Sequence, residues 1–174
     1  MRLFIAIDLS EDMKKSLLEY QDGLRSCGVT GNYSPEENLH LTLAFIGEYG
    51  DPDAVLSAME QVDFGSFRLE TSGIGSFSDT LWAGTVREQK LEKLVRDLRR
   101  SLSDAGIPFD RKKFRPHITL VRRAAFPRGS ADMMPELRSS AMEADGITLF
   151  RSDRGKKGMI YTEIGYVSAD RQEN

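Results

Sequence analysis

Two stretches of the chain follow one order, an alternating strand, an amphipathic helix and then a strand that begins with histidine. This repetition constrains the fold more than any other feature. From Arg2 to Asp8, Leu3, Ile5 and Ile7 alternate with Arg2, Phe4, Ala6 and Asp8, the period of a half-buried strand. Ser10 then stands as a helix N-cap, with Glu11 and Asp12 in the first turn where the helix dipole favours negative charge. Met13, Leu17, Tyr20 and Leu24 supply the apolar stripe, and Gly28 the stop. Asn38 to Gly47 alternates again, with Leu39, Leu41, Leu43 and Phe45 on one face and His40, Thr42, Ala44 and Ile46 on the other. The second half predicts a strand over Leu81 to Val86 and a helix over Gln89 to Ala105, with Leu91, Leu94, Val95, Leu98 and Leu102 inward and Gly106 as its stop. An alternating strand over Phe114 to Arg122 completes the unit. His40 and His117 stand 77 residues apart and the helix-ending glycines 78 apart, spacings that an ancient duplication explains.

Around these units, Asp51-Pro52 opens a short helix to about Gln61. Phe67 to Ser72, Gly146 to Arg151 and Met159 to Val167 read as further strands, the last two joined by a turn over Ser152 to Gly158. The sum is an α+β fold of two pseudo-symmetric lobes, each of antiparallel strands with helices on one face. No linker rich in Pro, Gly or Ser separates the halves, so residues 1–174 are expected to form a single bilobal domain.

Charge and cysteine content narrow the function classes. The net charge of −3 argues against a general positive field that grips long nucleic acid. The distribution is uneven. Arg111, Lys112, Lys113, Arg115, Arg122, Arg123 and Arg128 form a local basic segment without an acid, on a body with 17 basic against 27 acidic residues. A single cysteine, Cys27, forms no internal disulfide, and with two histidines in the chain no Cys/His cluster has metal-ligand spacing. No apolar run approaches the roughly 18 residues of a membrane span, and the run from Leu3 to Leu9 reads as a strand, not a secretion signal. The expectation is a monomer in a reducing cytoplasm, with no membrane partner, no structural metal and no cofactor.

The two histidines open matching tetrads, His40-Leu41-Thr42-Leu43 and His117-Ile118-Thr119-Leu120. Chance would place Thr and Leu so after both with a probability on the order of 10⁻⁵. In a strand, residues i and i+2 share a face, so each tetrad offers one imidazole and one hydroxyl while its aliphatic residues face the core. If the histidine strands face each other across a groove, two imidazoles and two hydroxyls converge. One neutral and one protonated imidazole can divide a hydrolysis between base and acid. Two threonine hydroxyls suit the non-bridging oxygens of a phosphodiester better than an acyl group. Arg122, although five residues beyond His117, and Arg115 are near enough in sequence to reach an anion there.

The run Asn38 to Leu43 followed by Phe45-Ile46-Gly47, the run Phe114 to Arg122, and the opening Arg2-Leu3-Phe4-Ile5-Ala6 resemble the 2H phosphoesterase superfamily. The resemblance is specifically to its bacterial and archaeal RNA 2′,3′-cyclic phosphodiesterases, once called 2′-5′ RNA ligases. It implies two lobes with helices outside and a central cleft, and metal-free opening of a 2′,3′-cyclic phosphate at an RNA end to a 2′-phosphomonoester. It also implies that His40 protonates the departing 3′ oxygen, that His117 activates water, and that Thr42 and Thr119 bind the phosphate. The residues alone give the pair without assigning acid and base. Tyr33 stands where the family often has tryptophan ahead of the first motif, and can stack on a base.

The remaining candidates are less specific. Phe4, on the histidine-like face of its strand, can stack on a base or fill the core. Trp82 is expected to pack within its lobe, and Cys27 to be a small buried filler. Gly73-Ile74-Gly75 and Gly155-Lys156-Lys157-Gly158 lack the full pattern of a phosphate loop and read as turns. A non-catalytic nucleotide-binding module using the same cleft is the alternative function. Retention of two groups that titrate near neutrality argues against it.

Overall fold

The computed structural model describes residues 1–129 and 133–170. Along the chain they form β1 (Arg2–Asp8), α1 (Glu11–Ser26), β2 (Thr30–Tyr33), a 3-10 turn (Glu36–Asn38), β3 (His40–Glu48) and α2 (Pro52–Glu60). There follow β4 (Phe67–Phe77), β5 (Thr80–Thr85), α3 (Gln89–Asp104), β6 (His117–Ala125), β7 (Ala141–Ala144), β8 (Gly146–Gly155) and β9 (Gly158–Ser168). Two antiparallel sheets result, in the orders β3-β1-β8-β9 and β2-β6-β5-β4-β7. Among the described residues no helix is long and apolar enough to cross a membrane.

Capping fixes the helix starts where the sequence puts them. The Ser10 side chain accepts from the Met13 N–H at the head of α1, and the Asp51 side chain accepts from Ala54 at the head of α2. α1 and α3 have the same length, 16 residues, and their starts are 78 residues apart. Each helix leaves one sheet and packs on the other: α1 follows β1 but lies against β6, whereas α3 follows β5 but lies against β3. This exchange ties the lobes together, and the buried apolar side chains form one continuous core from Leu3 to Leu149.

Several expectations need correction: Gly73-Ile74-Gly75 lies within β4 and Ser152 to Gly155 within β8 rather than in turns, because each stretch pairs with a neighbouring strand. β1 is buried on both faces rather than one, because Phe4 and Ala6 are covered along with Leu3, Ile5 and Ile7. Phe45, Phe150 and Tyr161 close over Phe4 from the cleft side. The histidine strands begin at His40 and His117, their leading residues being turn or loop. Two strands also lack any alternating apolar signal: β2, of sequence Thr-Gly-Asn-Tyr, and β7, Ala-Met-Glu-Ala. β2 forms because it adds to β6 at a point where Gly31 is required. A Cβ there would press on the Val121 side chain and the Arg122 carbonyl.

Candidate active site

A cleft of about 1400 Å³ lies between the sheets where β3 approaches β6, and His40, Thr42, His117, Thr119 and Arg122 all line it. The two motifs meet in this cleft. From the histidine onward, each strand has the same succession of burial: half-buried, buried, half-buried, buried, buried, exposed. The fourth and fifth residues are both buried because each strand carries a bulge. On β3, Thr42 pairs with Ala6 but Ala44 with Ile5, leaving Leu43 as the extra residue. On β6, Thr119 pairs with Trp82 but Val121 with Leu81, leaving Leu120 extra. The bulge resets the alternation, so the residue five after each histidine returns to the cleft. Arg122 therefore shares a face with His117 and Thr119 despite its odd offset. The equivalent position on β3 is Phe45, half exposed and lining the cleft.

Local hydrogen bonds hold both imidazoles in one tautomer. His40 Nδ1 lies 2.7 Å from the Asn38 carbonyl oxygen and His117 Nδ1 lies 2.6 Å from that of Arg115. A carbonyl only accepts, so each Nδ1 carries its hydrogen and each Nε2 is left to exchange a proton. His40 Nε2 is 2.8 Å from Thr42 Oγ1 and accepts the hydroxyl hydrogen in the neutral ring.

Aromatic side chains back both rings. Phe4 lies 4.9 Å from His40 between ring centres, and Tyr161 meets the same imidazole edge-on at 5.3 Å. Phe77 meets His117 edge-on at 5.1 Å and Trp82 lies at 5.9 Å. Burial among these rings lowers the His40 pKa from 6.5 to about 4. The Asn38 carbonyl and the Asp8 carboxylate oppose this lowering, while Arg122 and His117 reinforce it. In the free protein at pH 7, His40 is neutral.

The other sequence candidates fall in different places. Tyr33 lines the cleft with its hydroxyl donating to the Val29 carbonyl at 2.7 Å and the Arg25 guanidinium 4.0 Å above its ring. Phe4 reaches the cleft wall but is only 3% exposed, so it backs His40 and offers no open face to a base. Arg115 contributes its backbone carbonyl, and its exposed side chain is not part of the cleft wall. Of the seven residues in the basic segment, Arg122 alone lines the cleft. Arg111 instead covers the Phe109 ring, and the Lys112 carbonyl accepts from Arg99. Trp82 packs in its lobe as expected, its ring lying over Gly75, which has no Cβ to obstruct it. Cys27 is partly rather than fully buried, and its thiol donates to the Met133 carbonyl at 2.8 Å. Sequence reading did not single out Phe45, Arg2 or Arg25 as cleft residues. The matched offsets from the two histidines could have found Phe45, since it occupies the place of Arg122.

Comparison with known proteins agrees with this geometry. The family model described as "LigT like Phosphoesterase" matches twice, over residues 7–87 and 84–161, starting points separated by the same 77 residues as the histidines. A curated relative named RNA 2′,3′-cyclic phosphodiesterase, from Thermotoga maritima, is 32% identical over 173 residues, covering 92% of this chain and 91% of its own. Among solved structures, TT0787 of Thermus thermophilus superposes with a TM-score of 0.81 at 31% identity, over 97% of each chain. LigT of E. coli complexed with 3′-AMP superposes with a TM-score of 0.81 at 26% identity, over 98% of each chain. Matched along both halves, with each histidine motif inside a matched segment, the chain belongs to the LigT-like phosphoesterase family.

Proposed function

We propose that the protein hydrolyses 2′,3′-cyclic phosphate ends of RNA to 2′-phosphomonoesters by paired-histidine acid and base catalysis. The observation that carries this reading is the convergence in one cleft of two imidazoles, each with Nδ1 committed to a backbone carbonyl and Nε2 left for proton transfer. The curated relatives named RNA 2′,3′-cyclic phosphodiesterase support this substrate class.

In the proposed step, Thr42, Thr119 and Arg122 hold the non-bridging phosphate oxygens. His117 Nε2 takes a proton from water as the water oxygen bonds to phosphorus. The bond from phosphorus to the 3′ oxygen breaks, and His40 Nε2 delivers its proton to that oxygen. This role needs a protonated His40, whereas the free cleft holds it neutral. The substrate supplies the difference: an anion about 4 Å from the ring at an effective dielectric near 20 contributes about 4 kcal/mol, or about three pKa units. Binding thus draws in the proton that the reaction uses. A 5′-hydroxyl taking the place of water in the same step would bond to phosphorus as the bond to the 3′ oxygen breaks, leaving a 2′-5′ linkage, so a 2′-5′ ligase activity belongs to the same proposal. The exposed Phe45 ring, at the position of β3 equivalent to Arg122 on β6, offers the terminal nucleobase a face to stack on.

The test is hydrolysis of a short RNA bearing a 2′,3′-cyclic phosphate, in chelator, with the product position identified. Turnover to the 2′-phosphate that falls by about 10² or more in both His40→Ala and His117→Ala is the expected result. Wild-type turnover in either variant overturns the reading, and tight nucleotide binding without turnover converts it to the binding module.

A further inference from the structure

The β8–β9 hairpin arches over the cleft face of its sheet. Strand register places His40 opposite Asp8 at one end of β1, while Tyr161 pairs with Ser152, which pairs with Arg2 at the other end. β1 is long enough to separate those ends by about 20 Å. Even so, the Tyr161 ring lies 5.3 Å from the His40 ring, and the Asn38 side-chain amide donates to the Met159 carbonyl at 2.9 Å. The hairpin must bend back toward the loop that precedes β3. Lys157, Gly158 and Met159, at its tip, consequently line the cleft.

Two bonds meet on Asn38. Its carbonyl accepts from His40 Nδ1 at 2.7 Å, fixing the tautomer, and its amide fastens the hairpin. Resting on the function proposed above, we propose that Asn38 is a positioning residue that locks the β8–β9 hairpin to His40, so that the hairpin sets the orientation and solvent shell of the imidazole. The geometry makes the arrangement specific to one lobe. His117 has the equivalent carbonyl bond from Arg115, and among the described residues Arg115 makes no side-chain hydrogen bond to a second element. With the lock in place, His40 faces Asp8 from β1, His117 and Arg122 from β6, and Tyr161 from β9. Without it, the Tyr161 edge lifts and water reaches the ring, while the backbone carbonyl of residue 38 remains.

The chain has two histidines, so imidazole resonances in a ¹⁵N NMR titration are assignable with His117→Ala. In Asn38→Ala, the His40 titration is expected to move up from about 4 toward its ordinary 6.5. Turnover of the cyclic-phosphate RNA is expected to drop by about 10- to 100-fold in kcat with little change in KM, as befits a misplaced acid. Asn38→Ser, too short to reach Met159, carries the same expectation should Asn38→Ala not fold. A folded variant with an unmoved His40 titration overturns the lock, and one with a moved titration but unchanged kcat overturns positioning. Failure of the functional reading is distinguishable, because His40→Ala would then retain wild-type turnover whatever the titration reports.

Discussion

Thr42 and Thr119 occupy equivalent places, yet among the described residues only Thr42 is bonded to its histidine. In the proposed reaction, a phosphate oxygen arriving there accepts the Thr42 hydroxyl hydrogen bond and releases His40 Nε2 to be protonated. Thr42→Val and Thr119→Val are each expected to lower kcat by about 10²-fold, the loss typical of one donor to a reacting oxyanion, measured in steady state. The proton count gives a second expectation. In the proposed reaction the active pair carries one proton, so kcat/KM is expected to fall at low pH once both imidazoles are protonated. With the free His40 held near 4, that acid limb should lie near pH 4, well below an ordinary imidazole. An acid limb at 6 or above in a pH series on the wild type would contradict it. Which histidine is the acid is decided by the leaving group. Turnover of a nucleoside p-nitrophenyl phosphodiester, whose phenolate departs without a proton, should survive in His40→Ala and be lost in His117→Ala.

At the scale of elements, β6 is placed by a side chain that the sequence pattern does not reveal. Gln21 on α1 is 1% exposed, and its amide donates to the Ser34 carbonyl at 2.9 Å and the Leu120 carbonyl at 3.0 Å, one residue beyond Thr119. Gln21→Leu keeps the volume but strips both carbonyls of a donor, and should cost about 1–3 kcal/mol in denaturant unfolding. Gly75→Ala sets a Cβ against the Trp82 ring that backs His117, an overpacking expected to cost about 1–3 kcal/mol by the same measurement. These contacts mark where sequence reading stops. The amphipathic stripes of α1 and α3 and the paired tetrads were legible because apolar period and repetition are local properties. β2 was not, since Thr30 to Tyr33 becomes a strand only by adding to β6. The bulges at Leu43 and Leu120 were not either, because each depends on pairing with a neighbouring strand, and strict alternation therefore put Phe45 in the core and left Arg122 unexplained.

For the molecule as a whole, the acidic body and basic segment would set how tightly the RNA of the proposed function is held, and the fold divides that basic segment. Arg122 enters the cleft while the other six residues of the segment lie elsewhere on the described surface. The cleft wall gains its other cations from distant parts of the chain: Arg2 at the start of β1, Arg25 at the end of α1 and Lys157 at the hairpin tip, with Asp110 as an opposing charge. Recognition of a single-stranded end should then release counterions for about four phosphate contacts. Log affinity is expected to fall against log salt with a slope of about −3, where engagement of all seven residues of the segment would give about −5. Fluorescence anisotropy on a short RNA ending in the product 2′-phosphate, titrated across a salt series, reads this slope without turnover. A value near −5, flattened by charge removal at Arg111 or Lys113, would mean that the strand leaves the cleft across the α3–β6 loop. A value near −3, flattened by Arg25→Gln or Lys157→Gln, places it along β2 and the hairpin.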